Sequence, residues 1–157
     1  MDYYQEFCQF MAEYANLFDS MLVVEKEKLE ALLSHELGQM ERSIAAQQAA
    51  AMKLENFEKK RLEVQARAGF GGKTFQEILN MVDPQQSAEL ERLFRRLEDS
   101  VSNVKFYNDR SMELVKMNLH TLNQTAPPQE REEAKGYTQT KEKPHTLGGQ
   151  GLFETKI

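Results

Sequence analysis

Residues 59–78 constrain what this chain can fold into more than any other stretch. They read Lys-Lys-Arg-Leu-Glu-Val-Gln-Ala-Arg-Ala-Gly-Phe-Gly-Gly-Lys-Thr-Phe-Gln-Glu-Ile: a helix end, a short glycine break and a new helix start. A glycine at a helix end, here Gly69, supplies the left-handed turn that residues with a Cβ resist. Thr74 with Glu77 three residues later is a capping box that opens the next helix. Long segments with apolar residues at three–four spacing lie on either side. The pattern predicts one long helix, a tight reversal and a returning helical arm, a shape suited to binding rather than catalysis.

Composition agrees. Ala, Leu, Met, Glu, Gln and Lys dominate and tryptophan is absent, a helix-forming inventory in a chain of 157 residues. The net charge of -5 comes without a basic stripe, which argues against a nucleic-acid partner. Cys8 is the single cysteine, so no intrachain disulfide can form. The first residues lack the basic region and apolar run of a signal peptide. The longest apolar run, Met21, Leu22, Val23 and Val24, is far short of a membrane span. A cytoplasmic location is expected.

From Phe10 a heptad seam runs through Tyr14, Leu17, Met21 and Val24. Leu29, Leu32 and Leu33 shift its phase, and a second seam continues through Leu37, Met40, Ile44, Gln47, Ala51 and Leu54. The shift is read as a change of supercoil or a gentle bend within one helix over about 3–67. Such a rod is on the order of 100 Å long at ~1.5 Å per residue and must bury its stripe on a partner. After a loop at 68–73, Phe75, Ile78, Leu79 and Val82 mark a short helix over about 74–82. Asp83 and Pro84 then provide an N-cap and a first-turn proline for a helix over about 84–124. Its seam runs through Leu90, Phe94, Leu97, Val101 and Val104, then softens at Asn108, Ser111 and Asn118, with Val115 and Leu122 between and beyond.

The expected fold is therefore all-α, a long antiparallel helical hairpin or coiled-coil bundle over residues 1–125. The returning arm is the shorter one, so Phe7, Phe10 and Met11 are expected to overhang it as open apolar surface. Residues 126–157, polar and bearing Pro127 and Pro128, are expected to be a disordered tail with apolar islands at Tyr137 and at Leu152 and Phe153.

Motifs with catalytic meaning fail on inspection. Gly72-Lys73-Thr74 resembles the end of a phosphate-binding loop, but Arg67 stands where that motif needs glycine and a helix precedes it instead of a strand. Gly69 and Gly71 fail as a dinucleotide fingerprint for the same reason. His35-Glu36 lacks the second histidine of a zinc-protease helix, and with only three histidines no metal cluster suggests itself. Glu25, Glu27 and Glu30 read as a solvated face with Lys26 and Lys28. No enzyme, cofactor or metal is expected.

At the hairpin the sequence resembles the FlgN-type flagellar export chaperones. The shared pattern is Arg61 near the end of the first helix, Gly69 and a short loop, then Thr74-Phe75-Gln76-Glu77-Ile78. A long helix follows with Leu90, Leu93, Leu97, Asn108, Leu114, Val115 and Leu122. A tyrosine soon after it and a late Phe-Glu-Thr-Lys complete the pattern, over roughly residues 10–157. One departure is Ser111, where members of the family often carry a second asparagine. The resemblance implies a cytoplasmic chaperone for the hook-filament junction proteins FlgK and FlgL. It would bind their C-terminal amphipathic helices, prevent early assembly and deliver them to the export gate protein FlhA.

On that reading the client groove lies at the open end of the hairpin. Asn108, Met112, Val115, Met117, Leu119 and Leu122 would form it, with help from Phe10 and Tyr14. The methionines suit a surface that adapts to irregular partners. The resemblance places a gate-contacting tyrosine in the tail, which makes Tyr137 the expected docking residue for FlhA, with Leu152 and Phe153 as a second anchor. The competing expectation is a structural coiled-coil protein that self-associates through its first helix. A membrane-surface helix is disfavoured, because the polar faces are mixed or acidic.

Overall fold

The computed structural model describes residues 2–125, with four helices: α1 (Tyr3–Ser34), α2 (Leu37–Arg67), α3 (Phe75–Met81) and α4 (Pro84–Thr125). The chain is all-α, and its long helices pack as an antiparallel hairpin and bundle. The expected single helix over 3–67 is not what forms. The arm breaks at His35, which sits in the left-handed region at φ 57°, and at Glu36, which is extended. The Ser34 hydroxyl stabilises this corner by donating to the Ala31 carbonyl and accepting from the Glu36 amide. The phase shift between the two seams therefore marks a complete reversal, and Gly38 lies in the first turn of α2 rather than in a helix interior.

Cross-helix bonds set the register. Tyr14 reaches Glu58, and Arg67 pairs with Glu6, so α2 runs antiparallel to α1 along most of its length. The α1–α4 pairs Arg96–Asn16, Ser100–Asp19 and Lys28–Asn108 keep a constant offset of 80–81 residues, so α4 runs parallel to α1. α1 packs on both α2 and α4, and α3 packs on α4.

The core occupies one half of this bundle. Phe7, Phe10, Met11, Tyr14, Phe18 and Met21 of α1 meet Leu54 and Val64 of α2, Phe70, Phe75 and Ile78 of the connection, and Leu90, Phe94, Leu97 and Val104 of α4. Phe75 stacks on Phe94 with centroids 4.1 Å apart, and Phe7 meets Phe70 edge-on at 5.3 Å. The expected seams include Phe10, Tyr14, Met21, Leu54, Leu90, Phe94, Leu97 and Val104 of this core but not Phe7, Met11, Phe18, Val64 or Phe70, and the expected overhang of Phe7, Phe10 and Met11 is overturned. All three are at most 3 % exposed, because the reversal at His35 and the connection after α2 bring covering residues to them.

The connection closes this base as its residues dictate. Gly69 and Gly72 adopt φ 86° and 71°, where a side chain would be strained. Thr74 and Glu77 form the reciprocal capping box, and Asp83 accepts from the Gln86 amide at 2.8 Å with Pro84 opening α4. Beneath the loop lies a buried polar chain. The Tyr14 hydroxyl donates to Glu58 at 2.6 Å, Glu58 accepts from Arg61, and Arg61 donates to Gln65. Gln65 in turn donates to the carbonyls of Phe70 and Lys73 at 2.8 and 3.0 Å, tying the loop to α2.

Candidate functional site

The other end of the bundle is built differently. Extending the α1–α4 offset past Lys28 and Asn108 places Ser34, the last residue of α1, alongside residue 114. Residues 115–125 of α4 therefore run beyond α1 for roughly 16 Å at ~1.5 Å per residue. It is the late end of α4 that overhangs, not the early end of α1. The helix continues there because its sequence holds helix formers and no proline or glycine before Pro127.

Along this segment Asn108, Met112, Val115, Leu119 and Leu122 follow one another at alternating four- and three-residue steps, so they share one stripe of α4. Met112, Val115 and Leu119 are half-buried, while Met117 and Leu122 stand exposed at 66 % and 45 %. Asn108 is half-buried and its side-chain oxygen accepts from Lys28 at 2.9 Å, which leaves its amide hydrogens for another partner. Ser111, between them, is 1 % exposed.

Phe10 and Tyr14 do not join this group. They lie in the base, stacked on Phe57 with centroids 5.7 and 5.8 Å away, because α1 and α4 run parallel rather than antiparallel. Their place beside late α4 is taken by the α1–α2 corner, where Leu33 and Leu37 are 60 % and 70 % exposed. Sequence reasoning missed these two leucines as surface, and the phase shift beside them was the available signal. Glu25 also differs from its expected solvated role. It is 2 % exposed and held by Lys28 at 2.6 Å, whereas Glu27 and Glu30 are exposed as expected. Tyr137, Leu152 and Phe153, and the expected tail over 126–157, lie outside the described residues.

The base carries a groove of about 450 Å³ between the starts of α1 and α4, lined by Asp2, Tyr4, Cys8, Asp83, Gln86 and Glu89. Polar side chains dominate it, three of them carboxylates, so it offers no surface for an apolar helix face. Burial pushes the Cys8 thiol up from its ordinary range, which disfavours the reactive thiolate. Among the described residues no group of three or more His, Cys, Asp or Glu is placed to hold a metal ion, and no helix is long and apolar enough to cross a membrane.

A packed base, a projecting helix with an apolar stripe and an exposed apolar corner beside it define a helical-bundle binding protein. A family model described as FlgN protein matches residues 1–141, and the chain belongs to the FlgN family of flagellar export chaperones. No curated protein and no solved structure matches it.

Proposed function

We propose that this chaperone binds the hook-filament junction proteins FlgK and FlgL through their C-terminal amphipathic helices. It holds them unassembled in the cytoplasm and delivers them to the export gate protein FlhA. The observation that carries the reading is the projection of α4 past α1 with Leu122 left exposed on its apolar stripe, while Met117, two residues from both Val115 and Leu119, faces the opposite side of the helix. A partner helix laid along Met112, Val115, Leu119 and Leu122 buries an apolar stripe on each side, at ~25 cal/mol per Å² removed from water. Asn108 supplies a hydrogen-bonding group at the inner end of that stripe, where a buried polar contact fixes register.

Tyr137 is proposed as the anchor for FlhA. It lies within the span matched by the FlgN family model, and an aromatic residue in a polar segment supplies most of the apolar area that segment can bury.

The test is calorimetric titration of a junction-protein C-terminal peptide into the wild type and into Val115→Asp and Leu122→Asp. Each substitution is expected to weaken binding at least ~30-fold, about 2 kcal/mol, with helicity unchanged. Unchanged affinity in folded variants removes these residues from the site. The second reading, self-association as a structural coiled coil, draws on Leu37 and Ile44, exposed at 70 % and 59 % one heptad apart on α2. Solution mass separates the two. A structural rod is a dimer or larger at every concentration, whereas a chaperone gains mass on meeting its client.

A further inference from the structure

Halfway along the bundle the apolar core gives way to polar side chains contributed by three helices. On α1, Glu25 is buried against Lys28, and Lys28 reaches across to Asn108 of α4. On α4, Ser111 is buried with its hydroxyl unpartnered. On α2, the Gln47 amide nitrogen is also buried and unpartnered. The pairing of Tyr14 with Glu58, followed along both helices, brings Gln47 opposite Glu25, and the α1–α4 offset brings Ser111 opposite Ala31. All of these groups thus lie within about two turns of one another along the bundle axis.

A buried polar group without a partner forfeits its bonds to water and gains nothing in return. The apolar packing beyond this level does not offset that loss. Residues 37–53 of α2 include no buried side chain, α1 contributes only Ala31, and α4 contributes none past Ser111. The base is packed with aromatic residues from every helix. The two halves therefore differ sharply in what holds them together, and the boundary falls at the polar layer.

We infer that the bundle opens at this layer, with α4 parting from the α1–α2 corner beyond Lys28 and Asn108 while the base stays closed. The purpose of the opening rests on the export-chaperone reading. Parting uncovers the facing sides of α1 and α4, and water or a partner then enters the polar layer that holds Ser111 and Gln47. The helix that fits is amphipathic, with one hydrogen-bonding side chain, such as Asn, Gln or Ser, set into its apolar stripe at the level of this layer.

Hydrogen exchange read by mass spectrometry on the full chain tests the opening directly. Amides of residues 109–124 of α4 are expected to exchange at least ~10-fold faster than those of 90–104 in the same helix, because a helix parted from its neighbour is marginal on its own. The double variant Gln47→Leu/Ser111→Ala removes both unpartnered groups. It is expected to slow exchange in the distal half about tenfold, to leave the base unchanged, and to slow association of the junction-protein peptide by a similar factor. Uniform protection along wild-type α4 overturns the opening without any variant, as does a folded double variant that exchanges like the wild type. A variant with slowed exchange but an unchanged association rate overturns the link to binding. If the wild type does not bind the peptide at all, it is the chaperone reading that fails, and the exchange comparison still decides whether the layer opens.

Discussion

At the scale of single residues, the side chains that matter most are polar ones inside. Arg61 is 1 % exposed and bridges Glu58 to Gln65, which ties down the carbonyls of the connection. Arg61→Met would leave the Gln65 side-chain oxygen without its donor and the Glu58 carboxylate without its cation, with only the Tyr14 hydroxyl still bonded to it. Breaking one side of a buried ion pair costs about 3–5 kcal/mol. Glu58 keeps some contact with water, so the lower end, about 3 kcal/mol, is the expected loss in a urea titration. Tyr14 adds a pH signature. Its burial first, and then its bond to the Glu58 carboxylate, raise the hydroxyl well above its ordinary 10. The folded state keeps this proton at a pH where the unfolded chain has released it, so the contribution is complete below pH 10 and is lost as pH rises further. The expected slope is up to about 1.4 kcal/mol per pH unit, and Tyr14→Phe should flatten unfolding midpoints measured between pH 10 and 11.5 by that share. Tyr14 was legible as part of the apolar seam, whereas Arg61 was not legible as buried. Polar residues in a helical pattern default to the outside, and only the fold reveals that Arg61, Gln65 and Glu25 have partners within reach.

At the scale of elements, legibility depended on whether a boundary used a distinctive residue. The break after α2 was plain from Gly69, and the starts of α3 and α4 from Thr74 with Glu77 and from Asp83 with Pro84. The reversal between α1 and α2 uses none of these signals. His35 takes a left-handed conformation without being glycine, and Glu36 begins α2 without a side-chain cap. What the sequence did carry was the shift of seam at Leu29 to Leu33, where a hairpin corner and a bend leave the same trace. The consequence is unequal value along one helix. Leu54 is 4 % exposed and Ile44 is 59 % exposed, although both belong to the same sequence seam. Leu54→Ala, and likewise Leu97→Ala in α4, should cost about 2–5 kcal/mol, whereas Ile44→Ala should fall within about 0.5 kcal/mol of the wild type. Equal losses at Leu54 and Ile44 in parallel urea titrations would mean that α2 is packed along its whole length.

At the scale of the whole molecule, the packed core and the proposed binding surface lie at opposite ends. All of the core cluster lies at or below Val104 on α4, and no described residue past Ser111 is buried. The projecting end of α4 can therefore evolve for a partner at little cost to the fold, because few of its side chains support anything else. The proposed partner site on α4 has the α1–α2 corner as its neighbour rather than the start of α1. Two truncations separate the roles. Ending the chain after Glu113 removes the projection and everything after it. Thermal unfolding should shift by only a few degrees, since about 1 kcal/mol moves the midpoint of a domain this size by ~4 °C, while titrated junction-protein peptide should lose at least ~100-fold in affinity. Ending it after Thr125 keeps the projection and removes Tyr137. That chain should bind the peptide as the full protein does and lose its contact with the cytoplasmic domain of FlhA, measured by pull-down with client present. A large drop in unfolding temperature on ending at Glu113 would show that the projection is part of the core, and retained peptide binding would move the site back toward the base.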